Sequence, residues 1–501
     1  MRTKTYLKNA ALLTASGLAL RALGMVFRVY LAGQLGGEGM GLYQLILSLY
    51  MVFVSLATAG INVASTRLAA ENLARGWGIG RTVRRLSVTA AVLGTAAMMG
   101  QTALAGVLSR AVLHDARAEL ALRILAPSLP FMAVAGSLRG CFLAGRKVQP
   151  NVTAQMVEQL LRMGVVFVTL RRFVGWGAGY GCAAALAGNT VSEAVSCLIM
   201  VGYARRDKAL RTPAARRGSG YAKRELLGIL LPVEGGRMLA SGLQAAESAL
   251  IPLCLGQYLG ARALAVAQYG ALKGMAEPLL FFPFSVLAAL SGLLMPEITR
   301  ARTRKDAAAA ARLIDRMMTA SGLFSALAAV LFLLFGRPAA LLLYRDETVG
   351  AYVQILGAAA PFLYTESLVD GVLRGLGEQW ATFRFSVEDS VLRIAGILLL
   401  LPRWGMGAFL GIMLASNAMT CALNTARMLR CTGAPAHWGR WVLAPLGFAC
   451  LGGGGGWALL CWLTAETAAP APLRLALALA LVLGVYGGLA LRCKMVRSLT
   501  G

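Results

Sequence analysis

The sequence contains few charged side chains and almost no histidine. Charged residues make up 14% of the 501 residues, against about 25% in soluble proteins, and 58% of the residues are hydrophobic. Hydrophobic runs of about 18 residues or more recur from one end of the chain to the other. This composition predicts an all-α, polytopic membrane protein.

The sequence lacks the motifs that nucleotide hydrolysis, metal binding and disulfide formation require. The chain has no GxxxxGK[ST] phosphate-binding loop, so we do not expect nucleotide hydrolysis. Its 9 cysteines have no CxxC spacing, and its 2 histidines are His114 and His437, so we expect no metal site and no disulfide framework. With no soluble domain and no nucleophile–base set, the sequence predicts a transporter without a resident cofactor, not an enzyme.

The formal net charge of +27 could suggest a nucleic-acid partner, but its distribution indicates a membrane topology. Basic residues cluster in every second break between apolar runs, and several of the intervening breaks carry acids. Because cytoplasmic loops of membrane proteins are enriched in lysine and arginine, both termini are predicted to face the cytoplasm. We therefore expect a multi-pass protein of the bacterial cytoplasmic membrane that contacts lipid and no nucleic acid, with an uncleaved first span.

Hydropathy predicts about fourteen spans, which group into two six-helix lobes and two C-terminal helices. The predicted spans are 10–32, 42–68, 84–108, 120–143, 152–173, 179–203, 225–256, 263–295, 311–335, 350–374, 381–401, 405–429, 441–463 and 472–492. The predicted divisions are an N-lobe (1–203), a basic cytoplasmic linker (204–224), a C-lobe (225–430) and a C-terminal pair of spans with a cytoplasmic tail (431–501).

The two lobes share short sequence matches in the same order. Ala15-Ser16-Gly17-Leu18 recurs as Ala240-Ser241-Gly242-Leu243, and Pro130-Phe131 recurs as Pro361-Phe362. Since six spans separate the matches, the lobes should have the same orientation in the membrane. Parallel repeats of this kind place a substrate path at the lobe interface.

The first apolar run contains two arginines on one predicted helical face. Gly17, Arg21, Gly24 and Arg28 are spaced by four, three and four residues. A charge at membrane depth costs at least about 2.5–3.5 kcal/mol, so these guanidinium groups need water, a counter-ion or a ligand. We interpret this face as the lining of a wet cavity that binds an anionic substrate. The alternatives are pairing with carboxylates elsewhere and snorkelling to the membrane surface.

Polar residues in two further spans are candidates for the same cavity. In span two, Ser55 and Asn62 lie seven residues apart and are expected to share a face. In span seven, Arg237 and Gln244 have the same spacing, and Glu234 lies one turn before Arg237.

Charged pairs inside the predicted spans are candidates for coupling or gating. They lie at i,i+4 spacing or stand alone in span seven: Glu158 and Arg162, Lys273 and Glu277, Asp389 and Arg393, and Glu234. One interpretation is that these charges neutralise each other and hold the helices together. The other is a relay or gate coupled to membrane potential, H⁺ or Na⁺.

The first spans also resemble a known family. Arg21-Ala-Leu-Gly-Met-Val-Phe-Arg28, followed by Gly36-Gly-Glu-Gly-Met-Gly-Leu-Tyr-Gln44, resembles the start of stage V sporulation protein B and related polysaccharide biosynthesis proteins. Fourteen spans in two lobes are similar to the multidrug/oligosaccharidyl-lipid/polysaccharide exporter superfamily, which includes the MurJ lipid II flippases.

The resemblance implies flipping of an undecaprenyl-diphosphate-linked saccharide such as lipid II, for peptidoglycan, spore cortex or polysaccharide assembly. In MurJ-like proteins, arginines of the first span line a cationic cavity for the diphosphate, and Arg21 and Arg28 match them with a spacing one residue longer. Glu234 corresponds to an acid that helps bind sodium in some members, although its other ligands do not match. Cell-wall synthases are candidate partners.

Two alternatives remain open from the sequence. One is a cation-coupled multidrug exporter of the same superfamily. The other is a non-transporting scaffold that recruits cell-wall enzymes. The two extra spans and the cationic first span favour the flippase over the exporter, because drug exporters of this superfamily commonly have twelve spans and acidic cavities. A scaffold has no reason to retain arginines inside the membrane.

Overall fold

The computed structural model describes residues 2–58, 60–75, 77–207, 223–304, 306–467, 469–493 and 495. Side chains are described from residue 15 onward, except at 223–234, 285–286, 288–296 and 301. Every regular element in these ranges is helical, which confirms the predicted all-α class. The chain divides into two compact units, Met1–Pro252 and Leu253–Gly501.

The first unit is built from seven helices and the first part of an eighth. They are α1 (Arg2–Thr58), α2 (Ile61–Ala74), α3 (Gly80–Val107), α4 (Ala118–Leu125), α5 (Ser128–Ala144), α6 (Gln149–Phe173) and α7 (Ala178–Arg206), and α8 (Lys223–Leu259) continues into the second unit. A π-helical turn, Leu108–Val112, extends α3, and a 3₁₀ turn, Val174–Trp176, follows α6. The predicted lobe boundaries stay a prediction, since the division falls within α8 and 208–222 lie outside the described residues.

The second unit continues from the end of α8 with eight further helices. They are α9 (Arg262–Gly270), α10 (Glu277–Thr303), α11 (Ala307–Tyr344), α12 (Glu347–Gly357), α13 (Ala360–Gly375), α14 (Gln379–Thr432), α15 (Ala444–Glu466) and α16 (Ala471–Arg492). Two π-helical turns, Ala271–Ala276 and Gly439–Leu443, lead into α10 and α15. Every predicted span falls on one or two of the described helices.

Within the described residues, 9 helices are long and apolar enough to cross a membrane. Two of them, α1 and α14, are interrupted by a glycine with non-helical backbone angles, Gly36 (φ 66°) and Gly405 (φ 63°). Gly36 lies in the break between the first two predicted spans, and Gly405 is the first residue of the predicted span 405–429. A positive φ is strained for residues with a Cβ, so glycine is suited to these bends. The multi-span character of the chain is thus confirmed.

Three predicted spans are less continuous than their hydropathy suggested. Span two breaks at Gly60, which has a left-handed backbone conformation and separates α1 from α2. Span four breaks at Ala126–Pro127, and span ten breaks at Ala358–Ala359. Each of the last two breaks comes shortly before the repeated Pro-Phe pair, where proline fits the first turn of a new helix.

Small residues allow close helix packing in the core of the first unit. A Cβ built on Gly140 of α5 would lie 2.5 Å from the backbone oxygen of Asn62 on α2. One turn away, the hydroxyl oxygens of Ser65 and Ser137 lie 3.1 Å apart. The buried aromatic ring of Phe142 continues this interface. The two helices therefore approach each other closely and also form a polar contact.

The last two helices pack tightly within the second unit. A Cβ on Gly456 of α15 would lie 2.9 Å from the backbone oxygen of Ala478 on α16, and one on Gly453 would lie 2.2 Å from Val330 of α11. Two turns before Val330 on α11, a Cβ on Gly322 would lie 1.8 Å from the backbone oxygen of Trp441. The glycine-rich run of α15 thus lets α11, α15 and α16 approach closely.

Candidate functional site

The arginine face of α1, formed by Gly17, Arg21, Gly24 and Arg28, is uncovered by protein. The side chains of Arg21 and Arg28 are both exposed, whereas Phe27 and Leu31 on the same helix are 7% and 1% exposed. The apolar positions of α1 therefore anchor the helix in the unit, and its cationic positions remain accessible. This is the arrangement that the helical spacing predicts.

Arg21 and Arg28 have no ion-pair partner among the described residues. Neither guanidinium donates a hydrogen bond to a described side chain or backbone oxygen. A Cβ at Gly17 or Gly24 would meet nothing within 4 Å, so the face between the arginines is open. Within this part of the chain, the structure gives no support to carboxylate pairing. The side chain of Glu234 lies outside the described residues.

Helix α6 lies next to α1 and places a further arginine, Arg171, beside it, which was not predicted from the sequence. The rings of Tyr30 on α1 and Phe167 on α6 lie 5.6 Å apart. The exposed guanidinium of Arg171 stacks over the same Phe167 ring at 4.5 Å. Its spacing of four residues from an aromatic side chain was the only sequence signal for this contact.

The polar stripe predicted for span two does not form one continuous face. Ser55 is 3% exposed, and its hydroxyl donates to the backbone oxygen of Val52 at 2.9 Å. Asn62 is exposed but lies on α2, beyond the break at Gly60. The prediction that Ser55 and Asn62 share a helical face is therefore wrong, because periodicity does not extend across a left-handed residue.

Glu158 and Arg162 belong to a larger, mostly buried ionic network. The two oxygens of Glu158 accept from Arg139 of α5 at 2.8 Å and from Arg162, one turn away on α6, at 2.9 Å. The carboxylate of Glu193 on α7 lies 3.9 Å from the Arg162 guanidinium. Two guanidinium groups and two carboxyl groups thus balance in charge and join α5, α6 and α7.

Hydroxyl groups complete part of this network, but two of its atoms stay without a partner. Arg139 donates to Ser196 at 3.0 Å, and Arg162 donates to Ser192 at 3.4 Å. Among the described residues, Nε of Arg139 and Oε2 of Glu193 are buried and form no hydrogen bond. Glu193 was not predicted as a partner from the sequence, since no local spacing links α7 to α6.

The network and the arginine face lie on neighbouring parts of the unit. Tyr43, in the second half of α1, interacts electrostatically with the guanidinium groups of both Arg28 and Arg162. Among the described residues, Arg28 therefore lies near a cluster whose charges balance. This arrangement preserves a positive potential on the arginine face.

The two charged i,i+4 pairs of the second unit also form ion pairs. Lys273, on the π-helical turn, pairs with Glu277 at 2.6 Å and lies 5.9 Å from the centre of the Phe409 ring. The Arg393 guanidinium lies 3.9 Å from the carboxylate of Asp389, which also accepts from Ser416. All three i,i+4 pairs named in the sequence are thus formed.

The polar residues predicted for span seven lie on α8. Arg237 and Gln244 are both exposed, and a Cβ at the neighbouring Gly235 or Gly242 would meet nothing within 4 Å. Among the described residues, Arg237 forms no ion pair, so α8 presents an open polar face like that of α1. No group of three or more His, Cys, Asp or Glu side chains suited to a metal ion occurs in the described part of the chain.

Comparison with known proteins identifies the family. The family model "Polysaccharide biosynthesis protein" matches residues 6–301. Stage V sporulation protein B of Bacillus subtilis (strain 168) is 25% identical over 436 residues, which cover 86% of this chain and 83% of that protein.

Solved structures share the fold. The lipid II flippase MurJ in an inward closed conformation has a TM-score of 0.70 at 13% identity, covering 96% of this chain and 98% of that chain. An inward-facing multidrug resistance MATE family transporter of the MOP superfamily has a TM-score of 0.65 at 14% identity, covering 84% and 96%. The family predicted from the first spans is confirmed, and the chain belongs to the polysaccharide biosynthesis protein family.

Proposed function

We propose that the chain flips an undecaprenyl-diphosphate-linked saccharide across the bacterial cytoplasmic membrane, with lipid II as the first substrate to test. The exposed arginine face of α1, which has no acidic partner among the described residues, carries this proposal. The family match and the fold shared with a lipid II flippase support it. The saccharide would serve peptidoglycan, spore cortex or polysaccharide assembly.

The chemistry of the arginine face suits a diphosphate. Guanidinium groups bind phosphate oxygens through paired, charge-assisted hydrogen bonds. Arg21 and Arg28 lie two helical turns apart, with the open positions Gly17 and Gly24 beside them. The polyprenyl chain would stay in lipid while the sugar crosses by alternating access. Asn62, Arg237 and Gln244 are exposed and remain candidates for contacts to the sugar, whereas the buried Ser55 would first have to become accessible.

Movement of the headgroup outward would be favoured by the membrane potential. With both termini in the cytoplasm, an anion that moves outward, away from the negative interior, gains about 2.3 kcal/mol per charge per 100 mV. A second proposal is that transport is coupled to H⁺ or Na⁺ through charged residues of the predicted spans. The candidates are Glu158, Arg162, Glu234, Lys273, Glu277, Asp389 and Arg393. For any gating role, the three i,i+4 ion pairs that are formed in this structure would have to separate during transport.

The test is flipping of fluorescent lipid II by purified protein in proteoliposomes. Wild type should flip the lipid, and Arg21→Ala/Arg28→Ala should lose flipping while keeping its thermal stability. Arg123→Ala is the matched control, because this arginine is 56% exposed but pairs at 2.7 Å with Glu119 of its own helix, α4. Equal flipping by all three proteins would overturn the role of the arginine face.

Other outcomes of the same experiment separate the alternatives. Transport of a different diphosphate-linked glycan, with the same arginine dependence, would keep the mechanism and replace the substrate. Export of cationic drugs without lipid flipping would favour the multidrug exporter. Co-purification with cell-wall synthases in the absence of any transport would favour the scaffold.

A further inference from the structure

A cavity of ≈ 520 Å³ lies at one end of the second unit, where the C-terminal ends of α11 and α15 meet the start of α16. Apolar side chains supply most of its lining, including Leu342, Trp457, Leu460 and Leu475. Leu342 is 45% exposed and Trp457 is 39% exposed, so the cavity opens sideways from the helices. All three helices are long and apolar enough to cross a membrane, so we expect the opening to face lipid.

One arginine interrupts the apolar lining. Arg474 lies in the first turn of α16 and contributes to the cavity wall. Its Nε is buried and has no hydrogen-bond partner among the described residues. Glu466, the nearest acid along the chain, is exposed and forms no ion pair with it in that part of the structure. Within the described part of the chain, the Arg474 guanidinium thus has no acidic partner.

Packing fixes the shape of this cavity. The Trp457 ring meets the buried Phe335 ring edge to face at a centroid distance of 5.9 Å. Leu475, which is 7% exposed, joins the same apolar cluster as Phe335. A cavity held by such contacts is preformed, so an occupant does not have to order its walls.

We propose that this cavity binds an anionic phospholipid, with the phosphate on Arg474 and an acyl chain along Leu342 and Leu460. An apolar pocket that contains one uncompensated guanidinium matches an amphiphile with a single negative headgroup. A free phosphate would leave the apolar lining unused, and an uncharged lipid would leave Arg474 without a counter-ion. With the predicted topology, the bound lipid belongs to the outer leaflet. This site is separate from the arginine face of α1.

The test is lipid binding to the full-length protein, measured by native mass spectrometry with added phosphatidylglycerol, phosphatidylcholine or inorganic phosphate. Arg474→Gln removes the headgroup contact, and Ala471→Phe fills the cavity while keeping the arginine. Arg345→Gln is the matched control, because Arg345 is exposed near the same end of α11 and does not line the cavity. Thermal stability of each variant confirms that it is folded.

Wild type should bind phosphatidylglycerol more tightly than phosphatidylcholine, and Arg474→Gln should weaken phosphatidylglycerol binding about fivefold. Ala471→Phe should weaken the binding of both lipids, and Arg345→Gln should change neither. Equal losses in Arg474→Gln and Arg345→Gln would overturn the site, because any surface charge would then suffice. Binding of inorganic phosphate with the same Arg474 dependence would show an ion site and would also overturn the lipid proposal.

Discussion

Replacing Glu158 by glutamine removes the carboxylate that joins two arginines in the first unit. Its two oxygens accept from Arg139 at 2.8 Å and from Arg162 at 2.9 Å, and Glu193 alone would remain to balance both. Breaking one side of a buried ion pair costs about 3–5 kcal/mol. Because Arg139 and Arg162 keep 22% and 23% of their side-chain exposure, we expect about 3 kcal/mol, the low end of that range.

Thermal unfolding of the purified protein measures this loss. A unit of the size of Met1–Pro252 shifts its melting temperature by about 2–4 °C per kcal/mol, so Glu158→Gln should lower it by about 6–12 °C. The control is Glu71→Gln, whose exposed pair with Arg67 at 2.9 Å should contribute less than about 1 kcal/mol. Equal shifts in the two variants would refute the view that the network stabilises the unit.

Two further predictions concern packing and pH. Gly322→Ala places a Cβ 1.8 Å from the backbone oxygen of Trp441 and should lower the stability measured by thermal unfolding by about 1–3 kcal/mol. The control is Gly454→Ala, whose Cβ would meet nothing within 4 Å and should not destabilise the protein. Equal stability of the two variants would contradict the close packing. Arg427, which donates to Glu378 at 2.7 Å, lowers the pKa of that carboxyl. This pair therefore stabilises the fold above the unfolded-state pKa and loses its contribution as pH falls through the lowered pKa. The melting temperature of wild type should fall more steeply below about pH 4.3 than that of Glu378→Gln. Parallel plots of melting temperature against pH would show that the pair contributes nothing.

The sequence predicted the helical segments well, because each depends on the composition of a contiguous stretch. The bend at Gly36 lies in a predicted break, and the bend at Gly405 lies at the predicted start of the span 405–429. Gly60 was missed because the apolar run continues on both sides of it. Hydropathy averages over a window and cannot detect one residue in a left-handed conformation.

Prediction of the site was limited by the distance between partners in the chain. Arg21 and Arg28 share a face because of their spacing within one helix, and both side chains are exposed. The wet cavity that they are predicted to line stays a prediction. Arg139 and Glu193 complete the network of Glu158 from other helices, so no i,i+4 rule could identify them. Arg474 was missed for the same reason, since its cavity requires three helices.

Binding of undecaprenyl diphosphate is the measurement that most directly tests the arginine face. Affinity for the diphosphate should fall roughly 10-fold or more in Arg21→Ala and in Arg28→Ala, since a hydrogen bond to a charged group contributes about 1.5–3 kcal/mol. The double variant should lose more than either single variant, and Arg123→Ala should bind like wild type. Wild-type affinity in the double variant would contradict the account, because the anion would then be held by other groups.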